Sequence, residues 1–213
     1  MSRPGISAAR LARIERTLER IGLLFEHDRV HPSFTGLAAG EPIAGSWWSH
    51  ALAHPIYEAI QVFCERRDVL WAKLVNRKVT YVHPRLWPAF FAVARERGAE
   101  RTARLSEPAR ALFALVEQRG SLRMDELAAS GFASARELSA AMAQLEARLL
   151  VRADSVHTAS GAHAKVAQSW SFVCAERGYP EAALPLPQAR AELTQAAREL
   201  TRAGPRPAKL GFE

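Results

Sequence analysis

The chain is expected to be an α+β protein, mostly helical, in two parts followed by a C-terminal helix. Three observations lead there. Residues 69–82 hold two short runs rich in β-branched and aromatic side chains, separated only by Asn76-Arg77, the length of a tight hairpin turn. Amphipathic stretches flank that hairpin on both sides. Farther on, Ser134 and Glu137 form a capping box that opens a stripe of Leu138, Met142, Leu145 and Leu149, spaced by four, three and four.

A first helix is expected over 7–21. Ser7 offers an oxygen to the free N–H groups of its first turn, Leu11, Ile14, Leu18 and Ile21 form one apolar stripe, and Gly22 stops it. Arg13, Arg16 and Arg20, with Glu15 and Glu19 among them, make the opposite face, read as solvated and locally ion-paired. Residues 26–45 are rich in Gly, Pro, Ser and His and read as an irregular connection. The next helix covers 55–66, with Pro55 in its first turn and Ile56, Ile60 and Phe63 on its buried side. Strands over 69–75 and 78–82 follow. Pro84 then leads into a helix over 86–97 whose bulky side is Leu86, Phe90, Phe91 and Val93. Residues 1–98 therefore read as a small helix–hairpin–helix α+β domain, with helices covering one sheet face.

Residues 99–105 carry no large apolar side chain before Leu105 and read as a linker. A helix over 106–120 has Pro108 in its first turn and Leu112, Leu115 and Val116 on its core side, and Gly120 ends it. An extended piece at Leu122, a short helix over 125–129 and the turn Ser130-Gly131-Phe132 lead to the helix that Ser134 opens. Strands over 150–158 and 161–165 surround a Ser160-Gly161 tip, and a helix is expected around 167–177. Three helices, a tight turn before the third and a terminal hairpin predict a winged helix-turn-helix domain over 106–178. Residues 179–213 are expected to form a Pro-rich joint, a C-terminal helix over 188–203 and a loose end or strap.

Composition bounds the function. A hydrophobic share of 48% and a charged share of 24% are those of a folded protein. No apolar run approaches the ~20 residues that span a bilayer, and residues 1–20 show no continuous apolar stretch or small-residue cleavage site, so no secretory signal and a soluble, cytoplasmic protein without membrane partners are expected. Cys64 and Cys174 stand far apart and belong to no CxxC pair, which argues against a disulfide framework and structural zinc. No cofactor or metal is expected. Neither a phosphate-cradling glycine loop, a nucleophile elbow nor an H-E-x-x-H helix occurs, which argues against nucleotide hydrolases, serine hydrolases and zinc proteases. The formal charge is +7, and residues 1–105 carry most of it, with 16 Lys and Arg against 10 Asp and Glu. That surplus favours a polyanionic partner.

Four groups are candidate sites. The exposed side of the third helix of the winged helix offers Arg136 and Gln144 among Ser139, Ala140 and Ala143, too few hydrogen-bonding groups to read bases. Non-specific DNA contact and a protein or dimer interface are both open to it. At the wing, His157, His163 and Lys165 surround the Ser-Gly tip, as a plain polar turn, as contacts to phosphate or, least favoured because no further ligands are placed, as two histidines approaching one metal. Trp47 and Trp48, with His50 and His54, form either a core plug or a platform for an unstacked base. Last, Lys73, Arg77, Lys78, His83 and Arg85 cluster around the hairpin with Arg66 and Arg67, either blunting the sheet edge or meeting phosphate. This last group is the preferred nucleic-acid surface.

The stretch Gly45-Ser46-Trp47-Trp48-Ser49-His50, then Val69-Leu70, Lys78-Val79-Thr80-Tyr81-Val82-His83 and Leu86-Trp87-Pro88, resembles the short bacterial proteins called AlkZ-related. His157-Thr158, Ser160-Gly161, His163 and Lys165-Val166 fit the same group, so the resemblance covers about 45–175. It implies kinship with winged-helix DNA glycosylases that unhook bulky or crosslinked alkylated bases, and hence association with DNA. Those enzymes carry a Gln-x-Gln or Gln-x-Asp catalytic pair. The nearest string here, Gln144-Leu145-Glu146, lies inside the third helix and ends in Glu. The leading expectation is a non-catalytic DNA-associated protein that holds the backbone electrostatically. The alternatives are a diverged base-repair glycosylase working near Trp47, Trp48 and His50, and an interaction module that binds another protein or a second copy.

Overall fold

A computed structural model of the chain describes residues 5–157, 163–179, 184–202, 204 and 207–212. The Ser7 side chain accepts from the Arg10 N–H and opens α1 (Ala8–Ile21), and Gly22, at φ 88°, closes it by donating to the Leu18 carbonyl. Two elements then appear that periodicity does not announce. One is β1 (Leu23–Phe25), buried throughout. The other is α2 (Phe34–Ala39), which lies within the 26–45 stretch expected to be irregular. Gly36 and Thr35 are weak helix formers. The helix is held instead by its Ser33 cap and by Phe34, whose ring sits 5.3 Å from Phe63 and 5.9 Å from Tyr81.

A 3-10 turn over Trp47–Ser49 precedes α3 (Ala53–Glu65), which buries Ile56, Ile60 and Phe63 as expected. The hairpin follows as β2 (Leu70–Val75) and β3 (Lys78–Val82). Asn76 and Arg77 both take positive φ, 53° and 58°, as a two-residue type I′ turn requires. The strand β1 pairs with the other edge of β3, giving the order β1-β3-β2. Side-chain alternation sends Leu24 and Tyr81 into one core with α1, α2 and α3, and Leu23, Phe25, Leu70 and Val82 into another. Helices thus cover both sheet faces, not one. The second face receives α4 (Trp87–Ala94), which is buried nearly all round.

Within 99–105 the chain forms a short α5 (Ala99–Ala103). Then come α6 (Glu107–Arg119), β4 (Ser121–Arg123), α7 (Met124–Ala129), α8 (Ala135–Ala147), β5 (Arg152–His157) and β6 (His163–Gln168). Both bonds of the Ser134–Glu137 capping box are present. The antiparallel sheet has the order β4-β6-β5, and Leu112, Val116, Leu138, Met142 and Leu145 form the core beneath it. Leu149, expected to extend the α8 stripe, lies past the helix at φ 53°. Its carbonyl accepts from the Trp170 indole at 3.0 Å, and its side chain joins the core of the first sheet. The tip residues Thr158, Ser160 and Gly161 lie outside the described residues, as do 180–183 of the Pro-rich joint.

Two further helices, α9 (Trp170–Arg177) and α10 (Leu186–Thr201), return to the first part, where Trp170, Val173, Leu193, Ala197 and Leu200 pack with Phe90 and Phe91. Residues 207–212 are a strap. The Asn76 N–H donates to the Lys209 carbonyl at 2.8 Å, the Lys209 N–H donates back to the Asn76 side chain at 3.0 Å, and Leu210 bridges to Val75. Among the described residues no helix is long and apolar enough to cross a membrane.

Candidate nucleic-acid interface

The cations that crowd the hairpin in sequence part company in space. Lys73 Nζ lies 2.8 Å from Glu146 on α8. Arg85 donates to the carbonyls of Glu19 and Arg20, capping the end of α1, while the His83 side chain accepts from the Arg85 N–H. Arg66 is held by Glu15 at 2.5 Å and Asp68 at 2.7 Å. Lys78 reaches Asp28 at 2.5 Å and lies over the Phe25 ring. Arg77, at the turn, is exposed and bound to no carboxylate among the described residues.

On α8, Arg136 is exposed, whereas Gln144 accepts from the Ser106 N–H and donates to the Ser106 hydroxyl, both at 3.0 Å. Gln144, Leu145 and Glu146 are thus all engaged in structure: Gln144 ties α8 to the start of α6, Leu145 is core and Glu146 binds Lys73. Where a wing is expected, the backbones of His157 and His163 pair across β5 and β6, and His163 and Lys165 are exposed. The His157 side chain lies outside the described residues. No cluster of three metal-ligating side chains occurs among those described.

The tryptophan pair divides its roles. Trp47 is half-buried against the core of Ile56, Ile60 and Phe63, while Trp48 remains 58% exposed. Their rings stack 4.1 Å apart at 25°. The His50 ring accepts from the Leu52 N–H at 3.1 Å and stands 3.8 Å from Glu41, and His54 stands 3.5 Å from Glu58, all at the surface or half-buried. Cys64, beside the Tyr81 hydroxyl, is pushed up to about 11 by burial and is no nucleophile at neutral pH.

Sequence reasoning did not find the groove that unites several of these groups. An open concavity of about 2300 Å³ collects residues 26–31, 45–48, 76–79, 100–101, 103–104, 147–148, 207 and 209–212, together with Arg190. Eight Lys and Arg line it against three acids, Glu26, Asp28 and Glu100. Arg29, Arg77, Arg104 and Lys209 are exposed and have no carboxylate partner among the described residues. The remaining four are committed. Lys78 holds Asp28, Arg148 donates to the Gln144 carbonyl, and Arg190 stands 3.8 Å from Glu96. Arg101 is buried and donates to the carbonyls of Val93, Glu96 and Arg148. No single segment carries a dense enough charge run to have announced this surface.

The acids on this wall are partly silenced. Burial tends to raise the Asp28 carboxyl, but hydrogen bonds from Lys78 and the N–H groups of His31 and Val30 outweigh it and hold it below its usual value. It is therefore ionised and neutralised by Lys78. Burial raises Glu26, which accepts from the Tyr81 hydroxyl at 3.3 Å. Burial also lowers His27, whose ring bonds Thr35, so this imidazole is neutral at pH 7. The net field of the groove is positive, and the two tryptophans stand on its wall.

No curated protein and no solved structure matches this chain. The family model described as AlkZ related matches residues 11–202, most of the sequence and well beyond the stretch that carries the resemblance. The chain belongs to the AlkZ-related family.

Proposed function

We propose that this chain is a winged-helix, DNA-associated protein that grips the DNA backbone electrostatically and does no chemistry on it. The observation that carries the reading is the groove, where Arg29, Arg77, Arg104 and Lys209 converge from four distant segments without carboxylate partners. Each such cation that meets a phosphate releases condensed counterions, which is the main source of sequence-independent affinity. Family membership favours DNA as the polyanion, given the kinship with DNA glycosylases that the resemblance implies.

The element order α6, β4, α7, α8, β5, β6, with the sheet order β4-β6-β5, supports a winged helix as the second module. Its third helix presents Arg136, Ser139, Ala140 and Ala143 to solvent, and alanines cannot hydrogen-bond base edges. Backbone holding is therefore favoured over sequence reading. The engagement of Gln144 and Glu146 in structural bonds supports a non-catalytic role.

Anisotropy of a fluorescein-labelled duplex, titrated with protein at several salt concentrations, tests this. Affinity should fall steeply with salt, and the combined R77E, R104E and K209E variant should lose most of it. Absence of binding to any DNA at low salt ends the proposal. Alkylated duplex incubated with the protein and then treated with alkali should show no more strand breaks than the same duplex without protein, and an excess at the lesion would make the protein an enzyme.

A further inference from the structure

We infer that Trp48, backed by Trp47, is a stacking platform for one unpaired nucleobase of a DNA strand whose phosphates lie in the groove. The inference rests on the groove being the DNA surface and adds the form of DNA that it prefers. The 3-10 turn over Trp47–Ser49 sets two consecutive indoles face to face, 4.1 Å apart. Trp47 is half-buried and packs against the core, and Tyr57 of α3 approaches Trp48 at 5.4 Å. The outer indole is therefore pre-ordered by two neighbours, so little side-chain freedom is lost when a base lands on it.

Its exposure sets it apart. The other four tryptophans are buried or half-buried, as large aromatics usually are, while Trp48 leaves 58% of its surface open. Its position identifies the occupant. Both tryptophans line the same groove as Arg29 and Arg77. A π-face in a groove that also carries guanidinium groups suits a ligand with flat apolar faces on an anionic backbone. An apolar protein partner would have to strip water from those arginines, and a merely acidic one would leave the indole uncovered. In an intact duplex the bases are already stacked on one another. The platform therefore gains only from a nucleotide that is unpaired, where the unstacking penalty is smallest.

The test compares three labelled DNAs, a single-stranded 12-mer, its perfect duplex and the duplex with one bulged nucleotide, against wild type, W48A, W48F and R77E/K209E. W48A should weaken the single-stranded and bulged DNAs about tenfold while leaving the perfect duplex unchanged, and W48F should restore most of the loss. R77E/K209E should weaken all three alike. Equal affinity of W48A and wild type for the single strand overturns the platform but leaves the groove standing. If wild type binds none of the three, the groove reading and the platform fail together.

Discussion

Lys73 on β2 and Glu146 on α8 form an ion pair of 2.8 Å that ties the first sheet to the helix of the following module. The Glu146 side chain is only 11% exposed, so losing the lysine leaves a largely covered carboxylate without its cation. Fully exposed pairs contribute about 0–1 kcal/mol. K73A is expected to lower the unfolding free energy by about 1–2 kcal/mol, more than such a pair allows. Urea denaturation of K73A, E146A and the double variant checks this, and perfect additivity would reduce the contact to a surface coincidence. DNA affinity should change little, since this lysine is already occupied.

Arg77 separates stability from binding. Its φ of 58° falls in the left-handed region, which costs a non-glycine residue roughly 1–2 kcal/mol, and the second position of this turn type favours Gly. R77G should raise stability by about 1 kcal/mol, while the slope of log affinity against log salt for duplex DNA becomes shallower by about 1. R136E, on α8 and outside the groove, should leave that slope as it is. If R136E weakens binding more than R77G does, the DNA runs along α8 and not along the groove.

Glu26 predicts a pH dependence. Burial raises its folded-state value above the ordinary 4.5. The folded chain therefore holds this proton more tightly than the unfolded one. Any stability linked to it is fully present below pH 4.5 and is lost as pH rises through the folded value. E26Q keeps an acceptor for the Tyr81 hydroxyl and removes the titration. It should be more stable than wild type at pH 7, with the difference vanishing near pH 4. Thermal melts across that range decide it, and an E26Q protein less stable at pH 7 would contradict the assignment. Asp28 has the opposite sign, since its lowered value contributes stability above pH 3.8 that is lost as pH falls through its folded value.

The strap is expected to matter twice. Leu210 is 5% exposed and seated against the first sheet's core, so L210A should cost about 2–4 kcal/mol, measured by denaturant unfolding. Ending the chain after residue 206 removes Lys209 as well, and should lower DNA affinity beyond what L210A does at a temperature where both stay folded.

Much of the fold could be read from neighbouring residues. The Ser7 and Ser134 caps, the Asn76-Arg77 turn, the buried stripe of Leu138, Met142 and Leu145, and Pro55 and Pro108 in helix first turns all depend on spacings of a few residues, and all stand where expected. What escaped was β1, too short for a two-residue period to show, and α2, whose poor propensity is overcome by packing of Phe34. Leu149 escaped for a related reason. Its spacing fits the α8 stripe, yet its backbone has already left the helix.

The candidate interface was legible only in part. Arg77 and the Trp47–Trp48 pair could be singled out by residue type alone, but the fate of Lys73, Lys78 and Arg85 depended on partners far along the chain: Lys73 on Glu146, Lys78 on Asp28, Arg85 on the end of α1. Short-range order follows from backbone geometry and side-chain periodicity, which a linear string records. Electrostatic availability follows from through-space distance and desolvation, and those are set only when α5, the hairpin turn and the strap fold together around one groove.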